Sequence, residues 1–97
     1  LRVNVEVTPR AFRELQDIYL YVDERSPRGA AAVMSRFREL FEVLGEQPAL
    51  GVRAGTRGMR RVSAQPYPYF VFYRIARRGV VVHAIRHAAR DPKAMPR

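Results

Sequence analysis

Val3, Val5 and Val7 alternate with Asn4 and Glu6, so a short opening strand has one apolar face. Thr8 and Pro9 then supply an N-cap and a first-turn proline. Phe12, Leu15, Ile18, Tyr19 and Val22 recur at helical spacing, which predicts a helix from about Pro9 to Arg25. Ser26 and Pro27 repeat the start signal, and Ala30, Val33, Phe37, Leu40, Phe41 and Leu44 mark the stripe of a second helix. Gly45, with Pro48 beyond it, is expected to close that helix. The short turn between the stripes predicts an antiparallel helical hairpin over about 9–45. Glu14, Asp17, Asp23, Glu24, Arg36, Arg38, Glu39 and Glu42 mix both signs on the remaining faces, the pattern of a solvated surface.

Gly45, Pro48, Gly51, Gly55 and Gly58 punctuate the following segment, where an exposed loop is expected. A short strand from Met59 to Ala64 holds Arg60 and Arg61 and stops at Gln65-Pro66-Tyr67-Pro68, because two prolines lack the donors of a central strand. Tyr69 to Ile75 is nearly all aromatic or β-branched and reads as a strand. Arg77-Arg78-Gly79 makes a hairpin turn, and Val80 to Arg86 returns beside it. The expected fold is α+β: an N-terminal strand, the two-helix hairpin, then a three-stranded antiparallel sheet over about 59–87, with the helices packed on one face. A basic tail, 88–97, follows. Ninety-seven residues make one domain, 1–97, with a single core.

Period two puts Tyr69, Val71, Tyr73 and Ile75 on one face of the long strand and Phe70, Phe72 and Arg74 on the other. Both faces are largely apolar, whereas an antiparallel sheet covered on one side normally turns a polar face to water. The second face is expected to meet another element or a partner. Charge points the same way. Residues 1–49 hold eight acidic and seven basic side chains, and residues 50–97 hold one acidic and eleven basic, so the halves carry −1 and +10. So lopsided a field repels itself and suits a polyanion or an acidic partner. All but one of the basic residues are arginine, whose fork suits phosphate and carboxylate oxygens.

There is no cysteine, so neither a disulfide nor a thiolate metal site can form, which fits a reducing cytoplasm. No apolar run approaches the roughly twenty residues a bilayer requires, and no membrane association is expected. His83 and His87 lack the carboxylates of a metal site, since Asp91 is the sole acid in that half. No metal or cofactor is expected. His83 sits between Val81 and Ile85 at period two, the place of a core or edge histidine.

The order of elements, Arg60-Arg61, Tyr67-Pro68-Tyr69-Phe70-Val71-Phe72-Tyr73-Arg74 and the ending Ile85-Arg86-His87-Ala88-Ala89-Arg90-Asp91 together resemble the RelE/ParE superfamily of type II toxin-antitoxin toxins. The likeness runs from Val3 to Asp91 and is nearest the ParE branch, the plasmid stabilisation proteins. It implies a small bacterial toxin silenced by a ParD-like antitoxin whose flexible, acidic C-terminal segment wraps around it. ParE-like members are associated with inhibition of DNA gyrase, and RelE-like members with cleavage of messenger RNA on the ribosome.

Cleaving RNA through its 2′-hydroxyl needs a base, an acid and cations against the phosphorane charge. Cations abound, but between Gln47 and Arg90 there is no carboxylate, which leaves His87, His83 and the tyrosines, with His87 the first candidate acid or base. Ala88 and Ala89 follow it where many RelE-like relatives carry a tyrosine or a basic residue. The acid-base set looks incomplete, so a gyrase inhibitor is the leading reading and a ribosome-dependent endoribonuclease the alternative. The candidate target-binding residues are Arg60, Arg61, Arg74, Arg86, His87 and Arg90. Candidate antitoxin contacts are Phe12, Leu15, Tyr19, Phe37 and Phe41 from the helices with Phe70, Phe72 and Arg74 from the sheet, the pattern leaving open whether groove or sheet face is covered. No basic recognition helix is present, so DNA contact is expected only through the antitoxin.

Overall fold

The computed structural model describes residues 1–55 and 57–89. The strand β1 (Asn4–Val7) leads into α1 (Pro9–Asp23) and α2 (Pro27–Glu46). A short 3-10 turn, Pro48–Leu50, then precedes β2 (Val52–Arg53), β3 (Met59–Ser63), β4 (Tyr69–Ala76) and β5 (Gly79–His87). Both helix starts follow the sequence signals. Thr8 Oγ1 accepts the Ala11 N–H at 3.1 Å and Ser26 Oγ accepts the Gly29 N–H at 2.9 Å, each with proline in the first turn.

The sheet has five strands in the order β1-β5-β4-β3-β2, two more than the antiparallel set expected. The class is α+β as expected, but the sheet is mixed. β1 joins it parallel to β5, pairing Asn4 with Gly79 through Val7 with Val82. Backbone approach at two glycines explains how. A Cβ on Gly79, whose φ is 145°, would collide with the Asn4 carbonyl oxygen, and one on Gly45 would lie 3.1 Å from the Val3 carbonyl oxygen. The Gly45 carbonyl in turn accepts the Val3 N–H at 2.8 Å. Gly45 therefore does not end α2, which continues to Glu46 with Gln47 as its cap; its missing side chain makes room for β1. α1 stops at Asp23, two residues short of the expected end.

The segment expected to be an exposed loop is partly structured. β2 pairs antiparallel with β3, matching Val52 to Arg61 and Arg53 to Arg60. The phenol of Tyr73, fully buried on β4, accepts the Gly51 N–H at 2.8 Å and donates to the Pro48 carbonyl at 2.7 Å. These bonds satisfy backbone groups that have no ladder partner, which is why this stretch can lie against the sheet with Gly51 buried.

The helices pack on one face of the sheet. Val33, Phe37, Leu40 and Leu44 of α2 and Ala11 of α1 meet Tyr69, Val71, Tyr73, Val80, Val82 and Ile85, and Val3, Val5 and Val7 close the core beside β5. Among the described residues, no helix is long and apolar enough to cross a membrane.

Candidate target and antitoxin surfaces

Alternation along β3 and β4 sends Met59, Arg61 and Ser63, and Phe70, Phe72 and Arg74, to the face away from the helices. Their register sets arginine beside phenylalanine: Arg61 opposite Phe72, and Arg86 of β5 opposite Phe70. The Arg61 guanidinium lies 4.4 Å from the Phe70 ring centroid, a cation-π contact, and Arg74 Nε donates to the Arg57 carbonyl at 2.9 Å. Phe70 and Phe72 stay half-buried on this face. This open face is the second apolar face expected from the strand pattern.

The register shifts between Phe72 and Tyr73, so that Phe72 pairs with Ala84 and Tyr73 with Val82. His83 is the extra residue of this β-bulge. A depression of about 200 Å³ opens beside it, lined by Arg10, Met59, Phe72, His83, Ala84 and Arg86. Burial, and then the nearby Arg74 charge, push the imidazole pKa below its usual 6.5, so His83 is neutral at pH 7.

The six candidate target residues divide. Arg61, Arg74 and Arg86 share the open face. Arg60, one step along β3 from Arg61, points to the other side and donates to the Gly51 carbonyl at 2.7 Å, bracing the segment before β2. His87 pairs with Tyr69 on the helix side, their rings meeting edge to face at 5.3 Å. Its Nδ1 accepts the Ala89 N–H at 3.1 Å, which secures the turn after β5. A two-residue side-chain period separates Arg60 from Arg61 and His87 from Arg86, so these candidates do not share one face of the sheet. Arg90 and Asp91 lie outside the described residues, as does the rest of the tail to Arg97.

The helices present a second surface. Phe12, Tyr19 and Leu20 are 54%, 42% and 58% exposed. With Leu15, Gln16, Asp17 and Met34 they line a groove of about 550 Å³. Leu20 and Met34 were not among the expected contacts. A signal for Leu20 was present, because four successive apolar residues, Tyr19 to Val22, cannot all face one core from a helix. Phe37 is corrected: it is 2% exposed, inside the core against Tyr69, and offers nothing to a partner. Phe41 is half-buried and packs against the same cluster. Among the described residues, no three His, Asp or Glu side chains gather as a metal site would require.

Glu14 of α1 meets the arginine face, and sequence reasoning missed it. Its Oε1 accepts the Ile85 N–H at 2.8 Å and its Oε2 accepts Arg86 Nη1 at 2.9 Å. Arg10 Nε lies 3.5 Å from that second oxygen. A carboxylate does therefore reach the arginine face, brought from the helices and already engaged by a backbone donor and a guanidinium. No local pattern could place it there.

Comparison with known proteins agrees with this architecture. The family described as the ParE toxin of the type II toxin-antitoxin system, parDE, matches residues 5–92. A protein of Sinorhizobium fredii named "Putative toxin Y4kP" is 32% identical over 87 residues, covering 90% of each chain. A solved structure titled "Chromosomal ParDE TA system from P. aeruginosa" superposes with a TM-score of 0.79 over 89% of this chain and 96% of that one, at 17% identity, a likeness of fold. The class is thus that of the small α+β toxins of the RelE/ParE superfamily. Within it, the chain belongs to the ParE toxin family of type II toxin-antitoxin systems. Such a system implies an antitoxin partner.

Proposed function

We propose that this toxin acts by binding, with DNA gyrase as its target and the open face of the sheet as the surface that meets it. The observation that carries the reading is the convergence of Arg61, Arg74 and Arg86 around Phe70 and Phe72 with no acid-base pair among them. Glu14 is held by Ile85 and Arg86, and His87 is turned to the other side. Guanidinium groups beside aromatic rings are the usual anchors of a protein interface. Gyrase itself is named by the ParE likeness, and the surface supplies a cationic, partly apolar docking site.

A ParD-like antitoxin with an acidic, flexible C-terminal segment neutralises the toxin. An amphipathic helix in that segment would seat its apolar side chains in the groove of Phe12, Leu15, Tyr19 and Leu20. Its carboxylates would be drawn by the arginines of the sheet half, which speeds encounter. Supercoiling by purified gyrase tests the proposal. Saturating toxin is expected to block it, Arg61→Ala or Arg74→Ala to relieve the block, and equimolar antitoxin to abolish it. Undiminished supercoiling at saturating toxin, with cuts inside codons in primer extension on translated messages, would favour the endoribonuclease instead.

A further inference from the structure

β1 accompanies β5 only from Gly79 to Val82. Beyond Val82 that edge of β5 has no neighbouring strand among the described residues, and the Glu14 carboxylate stands where the carbonyl of one would be, accepting the Ile85 N–H. A neutral amide could do this alone. The second oxygen does something else: it takes Arg86 Nη1 at 2.9 Å in a charge-assisted bond between two side chains only 20% and 22% exposed. A negative charge at the rim of a surface made for an anionic partner works against that partner, so its presence calls for a compensating role.

We infer that Glu14 is a positioning residue, which holds the Arg86 guanidinium on the open face in the orientation the target meets. The inference rests on the open face being the target surface. The physical gain is preorganisation. A long arginine side chain free in solvent gives up its rotamer freedom when a partner binds, whereas one clamped from below has given it up on folding. Glu14 also draws Arg10 to the same rim, with Nε 3.5 Å away, so one carboxylate orders the two guanidinium groups that line the depression beside His83.

Glu14→Gln separates the two bonds, because the amide oxygen still accepts the Ile85 N–H while the charge that holds Arg86 is gone. The toxin concentration for half-inhibition of supercoiling is measured for the parent, Glu14→Gln, Arg86→Ala and the double variant. Glu14→Gln is expected to raise it roughly tenfold, the scale of coupling between contacting residues. In the Arg86→Ala background the same change should have a much smaller effect, the part that passes through Arg10. Slow amide exchange at Ile85 in Glu14→Gln would show the strand edge intact. Parental potency of Glu14→Gln, or full additivity with Arg86→Ala, overturns the inference. Should Ile85 exchange quicken, Arg86→Lys gives an independent check with Glu14 in place. It keeps the charge but not the planar fork, and parental potency would likewise overturn the inference. If the parent leaves gyrase untouched yet arrests growth without antitoxin, the gyrase reading falls, and the same variants scored by growth arrest decide on Glu14. A parent inactive in both assays overturns both.

Discussion

Along β4 the side chains facing the helices and those facing away are chemically alike, yet they have opposite fates. Tyr69, Val71 and Tyr73 are at most 7% exposed inside the core, while Phe70 and Phe72, one position along, remain half-buried with Arg61 and Arg86 beside them. The two helices differ in the same way. α2 buries Val33, Phe37, Leu40 and Leu44, whereas α1 fully buries only Ala11 and leaves Phe12, Tyr19 and Leu20 in water. Apolar character alone therefore does not separate a core from a docking surface in this chain. What separates them is the company the residues keep: apolar neighbours on one side, guanidinium groups or solvent on the other.

Cutting into the covered side should be costly. Phe37→Ala is expected to lower unfolding free energy by about 3–5 kcal/mol, because the cavity left against Tyr69 and Phe41 cannot fully collapse. Urea denaturation measures it. A loss below about 1 kcal/mol would mean that Phe37 is less enclosed than its burial says.

Tyr73→Phe sharpens the comparison within the core, since it removes one hydroxyl and leaves the ring. Gly51 N–H then loses its acceptor and the Pro48 carbonyl its donor, at a cost of roughly 1–3 kcal/mol. Amide exchange at Gly51 should accelerate along with the drop in stability.

On the open side the balance should reverse. Phe72→Ala is expected to cost only about 1 kcal/mol of stability, yet to weaken gyrase inhibition by roughly tenfold, as an interface anchor does. Phe12→Ala with Leu20→Ala should likewise spare the fold while lowering antitoxin affinity measured by calorimetry. Unchanged affinity in that pair would remove the α1 groove from the antitoxin site.

The smallest effect is in pH. The folded-state pKa of His83 lies below its usual 6.5, so the unfolded chain binds the proton more readily. The stability this contributes is present above pH 6.5 and is lost as pH falls through the folded-state value. Thermal denaturation of His83→Gln between pH 7 and 5 should be flatter than that of the parent. A parallel curve would show that another group carries the dependence.

Much of this arrangement could be read from local pattern. The caps at Thr8 and Ser26, the α2 stripe, the β4 alternation and the hairpin at Arg77 and Arg78 depend on residues near one another in the chain, where spacing and propensity act directly. The resemblance to ParE rested on that same order and is upheld by the family match. The opening strand was foreseen, but its place beside β5 was not, because it depends on Gly45 and Gly79 permitting backbone approach from a distance. The splitting of Arg60 from Arg61 followed from strand geometry alone, and pooling them overlooked it.

By itself the sequence determined the elements, the surplus of arginine in the second half and the two apolar faces of β4, because each is set by period and composition. Only the tertiary structure decided that Phe37 is enclosed, that a bulge at His83 opens a depression on the open face, and that Glu14 reaches across 71 positions to Ile85 and its neighbour Arg86. The reason is physical. A contact between distant residues is made by the packing of whole elements, and no local spacing encodes which side chain will stand at the end of a strand that lacks its neighbour.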